Sequence, residues 1–390
     1  MKDQGYIKSL DGVRALAILI VMSFHSGIIH FGWMGVQLFF VLSGYLITGI
    51  LWKEKFRERS LRTKLKNFWA RRSLRIFPLY FGFLLAIALI FLFTGFPGYF
   101  PSSAPYLFTY TYNYTRLVPH WQGNPLFTHL WSLSIEEQFY LFYPLVIFFL
   151  RPSAIRIFLV VCILLSPLSR FLLFQHYQTI ADPFSAADAV YWNTLSHLDA
   201  FFLGGLIPLM GLETAIKKPA NYLYISLSIV IVAGIVNYFI TGASSFFFTD
   251  LGYDHDRVGN GAPVWRYSVL DLLFASLILC LTTQHANGFG RLRNFFSNRY
   301  LARVGKVSYG MYIFHWAVFV YIFARFNPSQ NAKINLLLFI PYVIAVYLVA
   351  EVSYRLYESR FLLLKDRLFP MKDDNKKVEN TSETVDPRKV

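Results

Sequence analysis

Long apolar segments separated by basic connections constrain the fold of this chain more than any other feature. Segments near 13–30, 33–52, 76–95, 130–150, 156–174, 222–240, 267–284, 305–324 and 334–354 are each long enough to cross a bilayer as a helix. A shorter segment near 199–211 contains Gly204, Gly205 and Pro208. Since a backbone in lipid must satisfy its own polar groups, such segments adopt helices. The sequence therefore predicts an all-α, polytopic integral membrane protein with about ten transmembrane helices.

The overall composition excludes a single soluble domain. Hydrophobic residues make up 55% of the 390 residues and charged residues only 15%, with a mean hydropathy of +0.43. If both termini are cytoplasmic, 31 of the 37 Lys and Arg residues lie on the cytoplasmic side. This bias predicts that orientation, in an integral protein of the inner-membrane type. The net charge of +15 then reflects topology and contact with anionic lipid, so we expect no nucleic-acid partner.

The domain organisation follows from the same pattern. Residues 1–369 are expected to form one transmembrane domain, and the polar residues 370–390 a disordered cytoplasmic tail. The first apolar segment has no A-x-A-like cleavage site, so we interpret it as a helix and not as a signal peptide. Cys162 and Cys280 fall in separate segments, which predicts no disulfide.

An arginine and a histidine interrupt the first apolar segment, LDGVRALAILIVMSFH. Eleven residues at about 100° each return Arg14 and His25 to nearly the same helix face, roughly 16 Å apart along the axis. A charged side chain at membrane depth is costly and is usually retained for a cavity, a partner or a reaction. The alternative is that both residues lie near the two membrane interfaces, with Arg14 snorkelling to the cytoplasmic one.

Three arginines, Arg71, Arg72 and Arg75, stand immediately before the third apolar segment, in FWARRSLRIFPLY. Arg72 and Arg75 are three residues apart and therefore share a helix face. Guanidinium groups bind phosphates in a bidentate manner. The phosphates of a lipid headgroup, a nucleotide or coenzyme A are all candidate ligands at this position.

Two adjacent carboxylates, Glu136 and Glu137, begin the fourth long apolar segment, in HLWSLSIEEQFYLFYPL. Neighbouring residues point about 100° apart on a helix, so the two do not share one proton. One of them is explained by the favourable helix dipole at an N-terminus, whereas the other is available for a cavity or a neighbouring helix. His25 lies at the outer end of its helix, which allows a contact with either glutamate.

Other polar residues have simpler interpretations. His315, in VSYGMYIFHWAVF, is interpreted as a hydrogen-bonded structural residue, and Glu351 and Glu358 as partners of nearby arginines on their helix. Asp254, His255 and Asp256 resemble a metal cluster, but without a further ligand at useful spacing they indicate a solvated loop, and we predict no metal site. The aromatic connection PYLFTYTYNYTRL suits either an interfacial belt or a sugar-binding platform.

Taken in order, the motifs LDGVRALAILIVMSFH, GVQLFFVLSGYLIT, RRSLRIFPLY, HLWSLSIEEQFYLFYPL, VSYGMYIFHWAV and YRLYESRF resemble the membrane acyltransferase-3 family. These are bacterial enzymes that acylate surface carbohydrates. The resemblance implies that Arg14 and His25 are essential, that Arg72 and Arg75 form the family's arginine pair, and that Glu136 and Glu137 are functionally important. It also implies a stand-alone form, without the extra span and periplasmic domain of many relatives. The proline that often follows the last glutamate is replaced by Ser359, which leaves the role of Glu358 open.

The resemblance also implies a reaction, transfer of an acyl group, most often acetyl, from cytoplasmic acyl-CoA to a carbohydrate hydroxyl. Under this hypothesis Arg72, Arg75 and Arg71 hold the phosphates of acetyl-CoA, the co-substrate, and no cofactor is bound permanently. His25 acts as general base with Glu136 or Glu137 orienting it, while Arg14 steers CoA. The acceptor is an O-antigen, an exopolysaccharide or a related glycan, lipid-linked or free.

Three alternatives remain open from the sequence alone. An acyl-histidine intermediate would replace direct transfer. A transporter or flippase for a lipid-linked or acylated sugar would use the same charges as a pathway, although no internal repeat is visible. A non-catalytic subunit of a polysaccharide assembly complex has no need of an arginine and a histidine on one buried face.

Overall fold

The computed structural model describes residues 6–95, 99–118, 126–179, 186–242, 247–255, 261–283, 289–326 and 332–370, and within these ranges every regular element is a helix. The α-helices are α1 (Lys8–His25), α2 (Met34–Lys55), α3 (Leu61–Thr94), α4 (Tyr99–Phe108), α5 (Trp131–Phe149), α6 (Pro152–Thr179), α7 (Ala186–Tyr191), α8 (Leu198–Leu209), α9 (Leu212–Ala215), α10 (Pro219–Ile240), α11 (Phe247–Asp250), α12 (Ala262–Thr282), α13 (Gly290–Phe296), α14 (Arg299–Lys306), α15 (Ser308–Tyr321), α16 (Ala332–Ser353) and α17 (Ser359–Leu368). One π-helical turn, Tyr354–Glu358, joins α16 to α17.

Each predicted apolar segment coincides with a helix, which confirms an all-α, multi-pass membrane protein. Within the described ranges, six helices are long and apolar enough to cross a membrane: α2, α3, α6, α10, α12 and the continuous α16–α17. The pair α14–α15, bent by 69°, makes a seventh if it is one span. The remaining three fall short because α8 has only 12 residues and because α1 and α5 carry charged side chains. The total of ten spans and the cytoplasmic termini stay predictions.

Glycines bring two pairs of helices into backbone contact. A Cβ atom added at Gly44 of α2 would lie 1.8 Å from the carbonyl oxygen of Phe201 in α8, and one at Gly204 would lie 2.0 Å from that of Val41. Likewise, a Cβ at Gly305 of α14 would lie 1.8 Å from the carbonyl oxygen of Asp11 in α1. Small residues allow such close approach between membrane helices. These contacts fix α1 and α2, the two helices at the centre of the bundle.

A buried ion pair joins α6 to α8. Arg170 donates to the two carboxylate oxygens of Asp199 at 3.0 and 2.8 Å, and neither side chain is exposed to solvent. Ser268 of α12 donates to Asp199 at 2.6 Å, so three helices share the network. Placing a charge in an apolar interior is stable only with such partners.

Two carboxylates near the end of α16 were predicted to pair with arginines on their helix, and the aromatic connection to form an interfacial belt or a sugar-binding platform. Glu351 accepts hydrogen bonds from Arg303 and, at 2.5 Å, from Arg355, which confirms the helix-spaced pair. Glu358 accepts a hydrogen bond from Ser353 at 3.1 Å and interacts electrostatically with Arg75 of α3, so the arginine near it is not one of those expected on its own helix. The π-helical turn Tyr354–Glu358 separates these two carboxylates. Tyr110 of the aromatic connection is buried and stacks on Tyr80 of α3 at 4.4 Å between ring centroids.

The sequence predicted a solvated loop at Asp254, His255 and Asp256 and a disordered tail at residues 370–390. Asp254 lies 3.8 Å from His30, and His255 lies 3.9 Å from Asp188, so the two neighbours face different partners. No group of three metal-ligating side chains is placed to hold an ion anywhere in the described ranges. Asp256 and residues 371–390 lie outside the described residues. The division into a membrane domain and a tail therefore stays a prediction.

Candidate active site

A cavity of about 250 Å³ lies between α1, α2, α3, α5 and α15. Its apolar wall comes mainly from α2, with Phe39, Leu46 and Ile50 among the lining residues. Its polar lining is Arg14, Ser43, Arg72, Arg75, Ser132, Glu136, Tyr140, Ser308, Tyr309 and Tyr312. Four of the seven residues predicted from the sequence thus meet in one cavity, and they come from three different helices.

The arginines of the cavity differ in whether they have partners. Arg14 forms an ion pair with Asp11, one turn earlier on α1. Arg72 lies with its guanidinium carbon 5.7 Å from the ring centroid of Tyr140 and 5.8 Å from that of Phe68. Neither Arg72 nor Arg75 makes a hydrogen bond or ion pair with any residue that the structure describes. Their N–H donors are therefore free to bind an anion in the cavity.

A second cavity of about 160 Å³ adjoins the first, and Ile50, Arg72 and Arg75 line both. It is strongly basic, because its described lining also includes Arg59, Lys64, Arg71 and Lys365, against the single carboxylate of Glu54. The arginine pair therefore stands at the junction of the two cavities.

Arg71 lines this cavity and also contacts the C-terminal helix α17. It donates to Asp366 at 3.0 Å and to the carbonyl oxygen of Phe369, and so attaches α17 to α3. Lys365 of α17 lines the same cavity. The sequence placed Arg71 with the other two arginines, but it could not show that this residue positions a distant segment.

The two glutamates have separate environments. Glu136 faces the first cavity and accepts hydrogen bonds from the hydroxyl groups of Ser43 and Tyr140. Glu137 lines neither cavity, and its Oε1 atom is buried without a hydrogen bond to any described residue. The 100° offset between neighbours on α5 explains this difference.

His25 belongs to a cluster of histidines at the other end of α1 from Arg14. Its ring lies 5.2 Å from that of His315 and 4.5 Å from that of Trp316, and His315 lies 5.0 Å from His129, all between centroids. Within the described part of the chain, no contact joins His25 to Glu136 or Glu137. The expected histidine–glutamate contact is therefore not formed, because hydroxyl groups hold Glu136 and α15 packs His315 against His25.

Ser132 and Tyr312 separate the histidines from the first cavity. Their hydroxyl oxygens are 2.5 Å apart, and the Tyr312 hydroxyl donates to the carbonyl oxygen of His129 at 2.8 Å. Both residues line the cavity, whereas His25, His129 and His315 do not. The cavity thus ends at a wall whose other side is the histidine cluster.

Sequence reasoning missed His129 and His315 as members of this site. The signal was weak, because a single histidine in an apolar helix usually serves structure. Tyr312 and His315 do stand three residues apart on α15, which places them on one face. Local spacing cannot show that this face lies next to His25, because that contact depends on how α1 packs against α15.

The family assignment rests on a match over nearly the whole chain. A family model described as an acyltransferase domain matches residues 7–355. The chain belongs to the acyltransferase-3 family. Five of the six sequence motifs lie wholly within this match, and the sixth begins at its end.

Two relatives extend this result. The O-acetyltransferase OatA of Staphylococcus aureus (strain NCTC 8325 / PS 47) is 30% identical over 379 residues, which cover 92% of this chain and 58% of the relative. A second Staphylococcus aureus protein (strain COL), whose name marks its O-acetyltransferase activity as provisional, is 27% identical over 376 residues with the same coverage. This acyltransferase-3 chain therefore spans less than two thirds of the length of the curated relatives it matches. No solved structure matches it.

Proposed function

We propose that this protein is a membrane O-acyltransferase that moves an acetyl group from acetyl-CoA to a hydroxyl of a carbohydrate outside the cytoplasm. The observation that carries the proposal is the first cavity, where Arg72 and Arg75 make no hydrogen bond or ion pair with a described residue and whose far wall touches the histidine cluster. Family membership and the names of the relatives support acyl transfer to oxygen.

The charge of the two cavities supports acetyl-CoA as the donor. Coenzyme A carries phosphates at its nucleotide end and the thioester at the end of a slender, largely uncharged arm. The second, strongly basic cavity suits the nucleotide end, and the first cavity suits the arm. Arg72 and Arg75, at the junction, would bind phosphate oxygens through charge-assisted hydrogen bonds.

The reaction requires a base next to the thioester. His25 removes the proton from the acceptor hydroxyl while its oxygen attacks the thioester carbonyl. The new C–O bond forms, the C–S bond breaks, and the proton on the imidazole passes to the departing thiolate, which leaves as the free thiol of CoA. Since Ser132 and Tyr312 separate the cavity from His25, these two side chains must part for the thioester to arrive.

Arg14 and Glu136 act at the donor side of that wall. Arg14, whose charge is paired with Asp11, lines the first cavity together with Arg72 and Arg75 and would steer the pantetheine arm of CoA there. Glu136, fixed by Ser43 and Tyr140, offers the only carboxylate among the described residues lining the first cavity and suits the amide N–H groups of the pantetheine arm.

The charge distribution sets the direction of transfer. The basic connection 53–75 and the second cavity are on the side where acetyl-CoA is made if the termini are cytoplasmic. We place the protein in the bacterial inner membrane, with the histidine cluster toward the outer face. Donor and acceptor then approach the reaction from opposite sides.

A deletion strain tests the proposal even though the acceptor glycan is not identified. Mass spectrometry of its envelope glycans should reveal the loss of acetyl esters, and these should return with the wild-type gene but not with His25→Ala. The matched control is His176→Ala, an exposed histidine on α6 that should restore acetylation. Unchanged acetylation in the deletion strain, or full restoration by a well-folded His25→Ala protein, would contradict the proposal.

A further inference from the structure

His315 has a ring nitrogen without a hydrogen bond to any described residue, and its ring lies 5.2 Å from that of His25 between centroids. The residue is fully buried, and its Nδ1 atom is 2.7 Å from the carbonyl oxygen of Tyr312. A carbonyl oxygen only accepts hydrogen bonds, so Nδ1 carries the proton and Nε2 carries a lone pair. This Nε2 atom is buried without a hydrogen bond to any described residue. A buried acceptor left unpaired is costly, and such atoms usually serve a purpose.

His25 lacks the orienting partner that a general base normally has. A catalytic imidazole is held in one tautomer by a group that accepts the N–H of its other nitrogen. No hydrogen bond to a described residue engages either ring nitrogen of His25, and neither glutamate contacts it. Its described ring neighbours are Phe24, Trp316 and His315, of which His315 alone presents a free lone pair.

We infer that His315 is the positioning residue of His25. In this inference, which rests on the proposed function, Nε2 of His315 accepts the N–H of His25 and leaves the other nitrogen of His25 as the base. The rings are 5.2 Å apart between centroids and tilted by 45°, a separation at which two imidazole rings can share an N–H···N hydrogen bond once the His25 side chain is suitably rotated. Hydrogen bonds of a catalytic site often close only when the substrate is bound.

The same bond would serve each half of the reaction. When His25 takes the hydroxyl proton it becomes a cation in a poorly hydrated site, and the lone pair of His315 stabilises its N–H. When His25 passes the proton to the thiolate, it returns to the same tautomer. The backbone carbonyl of Tyr312 keeps His315 in the accepting form throughout.

Two substitutions separate this role from a purely structural one. His315→Gln places an amide oxygen where Nε2 stands and keeps an acceptor for His25. His315→Asn keeps a donor near Nδ1 for the Tyr312 carbonyl but has no atom at the Nε2 position. We expect Gln to retain transfer within about 10-fold of wild type and Asn to lose about 100-fold or more, as for loss of acid–base assistance.

The measurement compares acetyl esters on envelope glycans of the complemented deletion strain with the Kd for acetyl-CoA and the Tm of each purified variant. Wild-type Kd and Tm in both variants, with activity retained by Gln alone, support the inference. Equal activities, or more activity with Asn than with Gln, overturn it. If the Asn variant does not fold, a Gln variant with wild-type Tm and less than a hundredth of the activity overturns it alone. Absence of acetyl esters with the wild-type gene overturns the proposed function instead.

Discussion

At the scale of single residues, free guanidinium groups are the most informative feature of the site. Arg14 and Arg71 have carboxylate partners, whereas Arg72 and Arg75 have no hydrogen bond or ion pair to any residue in the described ranges. Packing of Arg72 between the rings of Phe68 and Tyr140 holds its charge in place without occupying its donors. The pair is therefore arranged before an anion binds, which lowers the entropy cost of binding.

This arrangement makes a prediction for donor binding. Arg72→Ala removes charge-assisted hydrogen bonds worth about 1.5–3 kcal/mol, so the Kd for CoA should rise about 10- to 100-fold. The control is Arg62→Ala, an exposed arginine on the same helix that lines neither cavity and should leave Kd unchanged. Calorimetry in detergent measures both, and an unchanged Kd for Arg72→Ala would show that CoA binds elsewhere.

Residue patterns predicted that the two arginines share one helix face and that the two glutamates point in different directions, because both features depend on local helix geometry. The three-residue spacing of Arg72 and Arg75 and the 100° offset of Glu136 and Glu137 hold in the structure. The partners of His25 were not predictable in this way. They depend on the packing of α1 against α15, which are separated by most of the chain, and no local pattern encodes that contact.

At the scale of helices, glycine positions determine how closely the central elements pack. Gly44 and Gly204 allow α2 and α8 to meet backbone to backbone, and this contact also fixes the face of α2 that lines the first cavity. The apolar pattern located both helices, including the short one. The pattern could not indicate which glycines allow close contact between helices, since Gly44 and Gly49 stand in the same apolar segment.

The two glycines give a matched pair of substitutions. A Cβ at Gly44 would stand 1.8 Å from the carbonyl oxygen of Phe201, so Gly44→Ala should lower stability by about 1–3 kcal/mol as the helices move apart. A Cβ at Gly49 meets its nearest atom at 3.6 Å, and Gly49→Ala should leave the thermal unfolding temperature unchanged. Thermal unfolding in detergent distinguishes them, and equal Tm values for the two variants would contradict the close packing of α2 on α8.

At the scale of the whole molecule, the arginines and the histidines of the site are separated in space. The arginine pair lines the two cavities, the histidine cluster lies outside them, and the Ser132–Tyr312 wall stands between the first cavity and the histidines. Hydropathy and charge bias predicted an all-α membrane protein because both depend on composition over long windows. The wall depends on two hydroxyl groups from α5 and α15 and was not foreseen.

Transfer across the membrane tests the account most directly. Vesicles would carry the protein with its basic end facing the lumen, acetyl-labelled acetyl-CoA trapped inside, and glycans from the deletion strain outside. We predict that label appears on the external glycans with the wild-type protein and not with His25→Ala. Label that reaches the glycans only when acetyl-CoA is supplied on their own side would contradict transfer from the arginine pair to the histidine cluster.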